Sequence, residues 1–398
     1  MRYLTGGESH GPCLTAIIEG LPSGLNINSS YINNQLVRRQ QGYGRGGRMK
    51  VESDQVEFLA GLRFNQTTGS PLVMQVKNKD AENWNSIMAA EGDEPEGLDR
   101  VTSPRPGHAD YAGGVKYKRK DLRDILERSS ARETAMRVVV GSVARRLLEE
   151  LGIHIYSHVI GIGSVYLTEE YNYDQIQSEI LEPHNYEQVE KSPLRCLESQ
   201  TEEKMKEEID VAKQEGDTLG GVWEVLVTGL PVGLGSHSHS DRKLDGRLAG
   251  ALMSLQGIKG VEIGLGFQAA QEPGSKVHDA FYLNAETGMP YRSSNRAGGL
   301  EGGITNGETL VLRAAMKPIP TLLNPLPSVD LVTGKESKAA VERSDVCAVP
   351  AASVVGEAIA AWELALAVRE KFGGDSLSEM IANYQMFLQS TQKYPFSD

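Results

Sequence analysis

LTAIIEGLPSGL (residues 14–25) and VWEVLVTGLPVGL (residues 222–234) are two strand-like runs that close on the same turn, GLPxGL. Glycine on either side of a proline is turn chemistry, so each run reads as a strand that stops sharply and reverses. Working outward, a polar, helix-compatible stretch follows each: 28–41 after Asn28, and 240–256 after Ser240, both favourable N-cap residues. VEFLAG (56–61) and VEIGLG (261–266) come next, then the strand-like GSPLVMQVKN (69–78) and GETLVLRAAMK (307–317). Glu127-Arg128-Ser129 and Glu342-Arg343-Ser344 each precede a long small-residue helix, about 132–151 and 350–373, stopped at Gly152 and Gly373. The same order occurs twice. It predicts one α+β domain, 1–398, built from two related halves of about 1–165 and 218–398 packed about a pseudo-two-fold axis; chance recurrence of short motifs is the competing account.

Between the halves, 166–217 is rich in tyrosine and glutamate. Ser199 with Glu202 offers a capping box, and Gly216 ends a charged helix, so the stretch reads as an exposed insertion without chemistry. EGDEPEGLD (91–99) reads as an acidic loop. KPIPTLLNPLP (317–327) excludes helix and central strand, and predicts an ordered extended loop of the kind that lines sites.

The chain has 398 residues and a net charge of −12, a poor match to nucleic acid or an anionic membrane, so its basic clusters should serve a small ligand. Cys13, Cys196 and Cys347 have no metal spacing and suit reduced thiols. The start, MRYLTGGESHG, lacks the apolar run of a secretory signal, and 349–368, with Glu357 and Glu363, reads as a core helix and not a membrane span. These features predict a cytoplasmic protein.

Two histidines stand in glycine-bearing turns: His10 in GGESHGP (6–12) and His108 in SPRPGHAD (103–110), with Asp110 two residues on. Around them lie Arg39, Arg45, Arg48, Arg105, Arg128, Arg132 and Arg343 in glycine- or serine-rich surroundings. Proton carriers among fixed cations point to acid–base chemistry on a small polyanion. GYGRGG (42–47) matches a dinucleotide fingerprint only formally: no strand precedes it and no helix follows. What it offers is a loop in which the backbone approaches an anion while Arg45 and Arg48 supply bidentate donors; a solvated basic turn is the alternative. SHSHSD (236–241) would put His237 and His239 on one face of a strand as a metal tract, but no partner cluster completes a shell, so structural or substrate-edge histidines are favoured. Arg128-Ser129-Ser130 precedes a helix start, an anion site or an ordinary cap; Arg343-Ser344-Asp345 sits at the equivalent place, where Asp345 would also serve as a helix cap.

Taken together, GESHG (7–11), RPGHAD (105–110), RSSARET (128–134), RSDVCAVPA (343–351) and the GYGRGGRM loop (42–49) resemble the chorismate synthase family nearly end to end. The resemblance implies conversion of 5-enolpyruvylshikimate 3-phosphate to chorismate and phosphate by anti-1,4-elimination. It also implies a need for reduced FMN without net redox change, a sandwich of four long helices between two antiparallel sheets, and a homotetramer. It leaves open whether NADPH or an external reductant supplies the reducing equivalents. It makes His10 the proton donor to the departing phosphate, His108 the group that protonates or stabilises the flavin, and Asp345 a partner in hydrogen removal. It gives Arg39, Arg45, Arg48, Arg105, Arg132 and Arg343 to the substrate. It gives Arg128, Ser129, Ser130, Gln256, Gly257, Gly302, Lys317, Pro318, Ile319, Pro320, Thr321 and Arg343 to FMN, with no metal. Gly257 stands where the family more often has alanine. Two rivals remain: a metal-dependent phosphoester hydrolase using His237 and His239, and a non-enzymatic anion-binding module.

Overall fold

Two antiparallel sheets frame the molecule, whose computed structural model describes residues 1–46, 53–167, 179–342 and 344–391. The first sheet contains β1 (Arg2–Gly6), β2 (Cys13–Glu19), β3 (Val56–Ala60) and β6 (Leu72–Lys77), in the order β1-β2-β6-β3. A small hairpin, β4 (Leu62–Arg63) and β5 (Gln66–Thr67), interrupts it between β3 and β6. The second sheet contains β7 (His154–Ile162), β8 (Val165–Tyr166), β9 (Gly221–Thr228), β10 (Ile258–Ile263) and β15 (Leu310–Met316), in the order β10-β15-β9-β7-β8. Two hairpins, β11 (Phe281–Leu283) with β12 (Pro290–Arg292) and β13 (Leu300–Glu301) with β14 (Ile304–Thr305), fall between β10 and β15. Apart from the edge strand β8, both sheets place their strands in the same sequence-related order, β1-β2-β6-β3 and β7-β9-β15-β10.

The two GLPxGL turns are held by the same bonds. Thr67 Oγ1 donates to Pro22 O at 2.6 Å and accepts from Leu25 N at 2.9 Å. Thr305 Oγ1 donates to Pro231 O at 2.6 Å and accepts from Leu234 N at 2.8 Å. Backbone bonds from Gly24 N to Thr67 O and from Gly233 N to Thr305 O, each 2.8 Å, complete both clamps. Gly24 (φ 85°) and Gly233 (φ 95°) occupy the left-handed region, which explains why glycine stands at that step of each turn.

Helices α1 (Ser29–Gln40), α4 (Thr134–Glu149), α7 (Leu244–Met253) and α8 (Val349–Phe372) form the core with the inner faces of the sheets. α4 and α8 pack along one another, α1 on α4 and α7 on α8; α4 also meets β2 and β7, and α8 meets β7 and β9. The crossing is close because a Cβ on Gly141 would lie 2.4 Å from Ala358 Cβ, a distance only glycine avoids. α8 is long and apolar enough by composition to cross a bilayer, yet it is buried on all sides here as a core helix is. Asn28 caps α1, its side chain accepting from Tyr31 N at 3.0 Å.

Several boundaries differ from the sequence reading. Ser240 begins a 3-10 turn (Ser240–Arg242) and caps nothing; α7 starts at Leu244 and has 10 residues, so the fourth core helix is short. Glu127-Arg128-Ser129 is not a loop but the last turn of a helix, α3 (Arg123–Ser129), which follows α2 (Asp110–Tyr117). Ser199 lies inside α6 (Ser199–Glu215), and Glu202 takes bonds from Ser192 and Lys206, so no capping box forms. Nor is the insertion an exposed excursion. Val189 of α5 (Pro183–Lys191), Leu194, Cys196, and Met205 and Ile209 of α6 are buried, and Arg195 bonds Glu357 of α8. The helix α9 (Leu377–Thr391) follows α8 and closes over the Ser23 turn through Leu377 N and Ser23 O.

Candidate active site

The connections of the first half gather charged side chains at the start of α4. His10 sits in the short β1–β2 loop and is 8% exposed. Glu127 holds it twice: Oε2 accepts from His10 N and Oε1 meets Nδ1, both at 2.8 Å. The ring stacks on Trp84, centroids 4.0 Å apart and planes at 26°. Arg123 lies 5.0 Å over the same indole and bonds both Glu127 and Glu342 at 3.4 Å. The two Glu-Arg-Ser segments therefore meet at one guanidinium.

Beside this lies an arginine pair around Asp54. Arg132 Nη1 reaches both Asp54 oxygens at 2.7 Å and its Nε donates to Asn78 Oδ1 at 2.9 Å. Arg39 donates to Thr134 Oγ1 at 2.9 Å and to Ala131 O at 3.1 Å, and lies 3.6 Å from Asp54. Asn78 Nδ2 in turn bonds Glu8 O and Gly11 O, joining the His10 loop to Arg132. Ser130 bonds Ser9 at 3.3 Å and caps the 3-10 turn that leads into α4. Arg128 and Ser129 have structural partners: Arg128 donates to Thr5 O, Thr5 Oγ1 and Gly7 O, and Ser129 donates back to Ile125 O.

His108 forms a second carboxylate pair. Its Nδ1 lies 2.5 Å from Asp110 Oδ1, and Arg105 donates to Asp110 through Nε at 2.9 Å and to Thr321 Oγ1 at 2.9 Å. Burial alone would raise the Asp110 carboxyl; hydrogen bonds from His108 and Arg105 and the Arg105 charge hold it well below its usual value. Lys317 Nζ donates to Gly107 O, and Lys317 N to Gly257 O at 2.9 Å, so the His108 turn, the Gln256-Gly257 turn and the 317–321 loop form one unit. Burial and the nearby Lys259 charge lower the Lys317 ammonium. Gly257 has φ 83°, and a Cβ would stand 3.2 Å from Met316, which suits glycine here. Pro318, Ile319 and Pro320 lie in neither helix nor strand, with a bend at Pro320, and Ile319 O accepts from Thr218 at 2.7 Å. Gly302 stands at the turn of the β13–β14 hairpin, where an added Cβ would meet nothing within 4 Å.

Asp345 is no helix cap. Ala348 occupies that position of α8, and Asp345 instead accepts from Gly46 N at 2.6 Å and meets Arg45 at 3.3 Å. The glycine-rich loop thus closes on the second half. Burial pushes the neighbouring Cys347 thiol up to about 12, which leaves it a filler and not a nucleophile. Arg48 and Arg343 lie outside the described residues. His237 and His239 are exposed in a bend, not on a strand, and among the described residues no group of three or more His, Cys, Asp or Glu side chains is placed to hold a metal ion. A cavity of about 710 Å³ opens against the second sheet beside Glu262 and Arg313, and shares no lining residue with these clusters.

Sequence reasoning named both histidines and the arginines Arg39, Arg45, Arg105 and Arg132, but not their partners Glu127, Trp84, Arg123, Asp54 and Asn78. Only Glu127 carried a signal, through its repeated Glu-Arg-Ser context.

Comparison with known proteins bears on what this arrangement serves. The family model described as chorismate synthase matches residues 1–368. The chain is 59% identical to the chorismate synthase of Desulforamulus reducens over 393 residues, covering 98% of each. It is 54% identical to that of Brevibacillus brevis over 398 residues, 99% of this chain and 100% of the other. A crystal structure of chorismate synthase at 41% identity superposes with a TM-score of 0.79 over 99% of this chain and 98% of that one.

Proposed function

The chain belongs to the chorismate synthase family of lyases, and from that premise we propose that it eliminates phosphate from 5-enolpyruvylshikimate 3-phosphate to give chorismate, the aromatic precursor, with reduced FMN bound. The observation that carries the reading is the pairing of each loop histidine with a buried carboxylate, His10 with Glu127 and His108 with Asp110, the second pair held by Arg105 and the His10 loop joined to Arg132 through Asn78. A carboxylate only accepts, so Nδ1–H of each ring donates to it; Nε2 of His10 remains to exchange a proton, whereas Nε2 of His108 faces Arg105 Nη2 at 3.3 Å. His10 gives a proton to the departing phosphate; the arginines hold phosphate and carboxylates in bidentate contacts. His108 would protonate or stabilise the reduced cofactor, and Asp345, which accepts from Gly46 N, would assist hydrogen removal. The residues fit a flavin: Gln256 Oε1 is buried with no partner among the described residues, and Gly257, Lys317 and Thr321 are bonded into the His108 unit. With Ser130, the backbone of 318–320, Gly302, Arg128, Ser129 and Arg343, these would hold it. Reduced FMN, when bound, supplies the transient electron that eases phosphate loss and accepts the ring hydrogen.

The matching strand orders and the two threonine clamps support a duplicated architecture, with the four core helices sandwiched between the sheets about a pseudo-two-fold axis. A homotetramer in the cytoplasm completes the reading. The test is anaerobic turnover with dithionite-reduced FMN, followed by chorismate absorbance, with and without NADPH. Formation of chorismate under dithionite supports the proposal; phosphate release without chorismate would replace it with a hydrolase.

A further inference from the structure

We propose that Glu127 is the positioning residue of His10: its carboxylate decides which ring nitrogen carries the fixed proton and holds the imidazole in one orientation. This rests on the elimination proposed above and deepens it. Glu127 contacts His10 through both oxygens, one on the backbone N–H and one on ring Nδ1, each at 2.8 Å. Rotation of the ring about its side-chain bonds breaks the second bond while the first remains, so one rotamer is selected. Because an ionised carboxylate has no proton to give, Nδ1 is the donor and Nε2 the exchanging nitrogen. The carboxylate is ionised at neutral pH. Burial raises it, but the hydrogen bonds and charge of His10, and then the charge of Arg123, bring it below its usual value.

The surroundings make this more than a loop anchor. The loop already has independent tethers: Ser9 N to Glu127 O at 3.1 Å, Arg128 to Gly7 O at 3.1 Å and Asn78 to Gly11 O at 2.7 Å. What the Glu127 side chain adds is specific to the imidazole. Trp84 covers one ring face, and Arg123 links that indole to Glu127, so carboxylate and aromatic face are held as one unit around His10.

The experiment measures kcat and KM against pH for the FMN-loaded wild type, Glu127→Gln and Glu127→Asp. It also reads the ring tautomer of His10 in the wild type by ¹⁵N-histidine NMR, assigned by loss of its signal in His10→Ala. Glutamine keeps an acceptor but loses the charge. Glu127→Gln should lose about 10²-fold in kcat with KM little changed. Glu127→Asp, which keeps the charge, should restore kcat toward wild type. The NMR should show the proton on Nδ1. A Glu127→Gln variant with wild-type kcat overturns the inference, as does a neutral wild-type ring, read above its titration, whose proton sits on Nε2. Should Glu127→Gln fail to fold, the tautomer decides alone. Failure of the wild type to make chorismate would sink the elimination and leave the tautomer result standing.

Discussion

The two GLPxGL turns and the connections around them part company in what they keep. The turns share partners and distances: Thr67 and Thr305 each donate at 2.6 Å to the proline carbonyl of their turn. The connections share almost nothing. Between β1 and β2 a short loop carries His10, whereas the counterpart between β7 and β9 is the long stretch that contains α5 and α6. Between α1 and β3 lie Arg45 and Arg48; between α7 and β10 lie only a few residues, including Gln256 and Gly257. A clamp that satisfies buried backbone groups tolerates little change, because each lost bond leaves an unpaired group. A surface connection has no such constraint, and chemistry collects there.

The largest effects should therefore come from loop residues with no counterpart in the other half. His10→Ala and His108→Ala should each lose about 10²–10⁴-fold in rate while folding and still binding FMN. Full turnover in either variant, measured anaerobically with reduced FMN, would mean that its histidine is only part of the frame. That outcome would erase the contrast between clamp and connection.

Stability should fall most where the halves are tied asymmetrically. Glu357 of α8 accepts from Arg38 and Arg145 at 2.6 Å, from Ser157 at 2.6 Å and from Arg195 at 3.3 Å. Burial raises its carboxyl, yet the arginines hold it down at about 2. Removing one member of such a buried cluster typically costs about 3–5 kcal/mol. Glu357→Gln should lower the denaturant midpoint accordingly and loosen α5 and α6, read as faster amide exchange there. Unchanged exchange in those helices would show that the insertion is held by its apolar contacts alone.

The turns, strands and helix stops were legible in the sequence because their signals are local: glycine-proline turns, alternating strands and glycine stops. His10 and His108 were singled out for the same reason, since glycines crowd both turns, and each pairs with a carboxylate. Glu127 and Trp84 were not, because each meets His10 across a long stretch of chain that no spacing rule connects. The cap alternative for Asp345 failed: a carboxylate before a helix suggests a cap, but the glycine-rich loop supplies a backbone donor first. The insertion misled through its charge. Its buried Met205 and Ile209 occupy i and i+4 on α6, a narrow stripe easily hidden among glutamates and lysines.

The clamps themselves provide the sharpest form of the comparison. Thr67→Val and Thr305→Val each remove a buried hydroxyl and strand one backbone donor and one acceptor. Each should cost about 1–3 kcal/mol, and the two losses should agree closely. A clear inequality in chemical denaturation would show that one clamp is ornamental, and would weaken the case for duplication.

The smallest expected effect is a pH dependence confined to the first half's carboxylates. Asp110 and Glu127 have folded values below their ordinary 3.8 and 4.5, because hydrogen bonds and charge from histidine and arginine outweigh burial. A depressed carboxylate contributes stability that is fully present above its unfolded value and is lost as pH falls through its folded value. Stability should hold level near neutrality for these two groups and decline below about pH 4.5, with a limiting slope of about 1.4 kcal/mol per pH unit for each group. Asp110→Asn has no carboxyl to protonate, so its acid decline should be shallower by one group even as its neutral stability drops. An acid decline in Asp110→Asn as steep as that of the wild type would assign the loss to other carboxylates, Glu357 and Glu190 first among them, and move acid sensitivity from the loop pairs to the ion cluster that joins the halves.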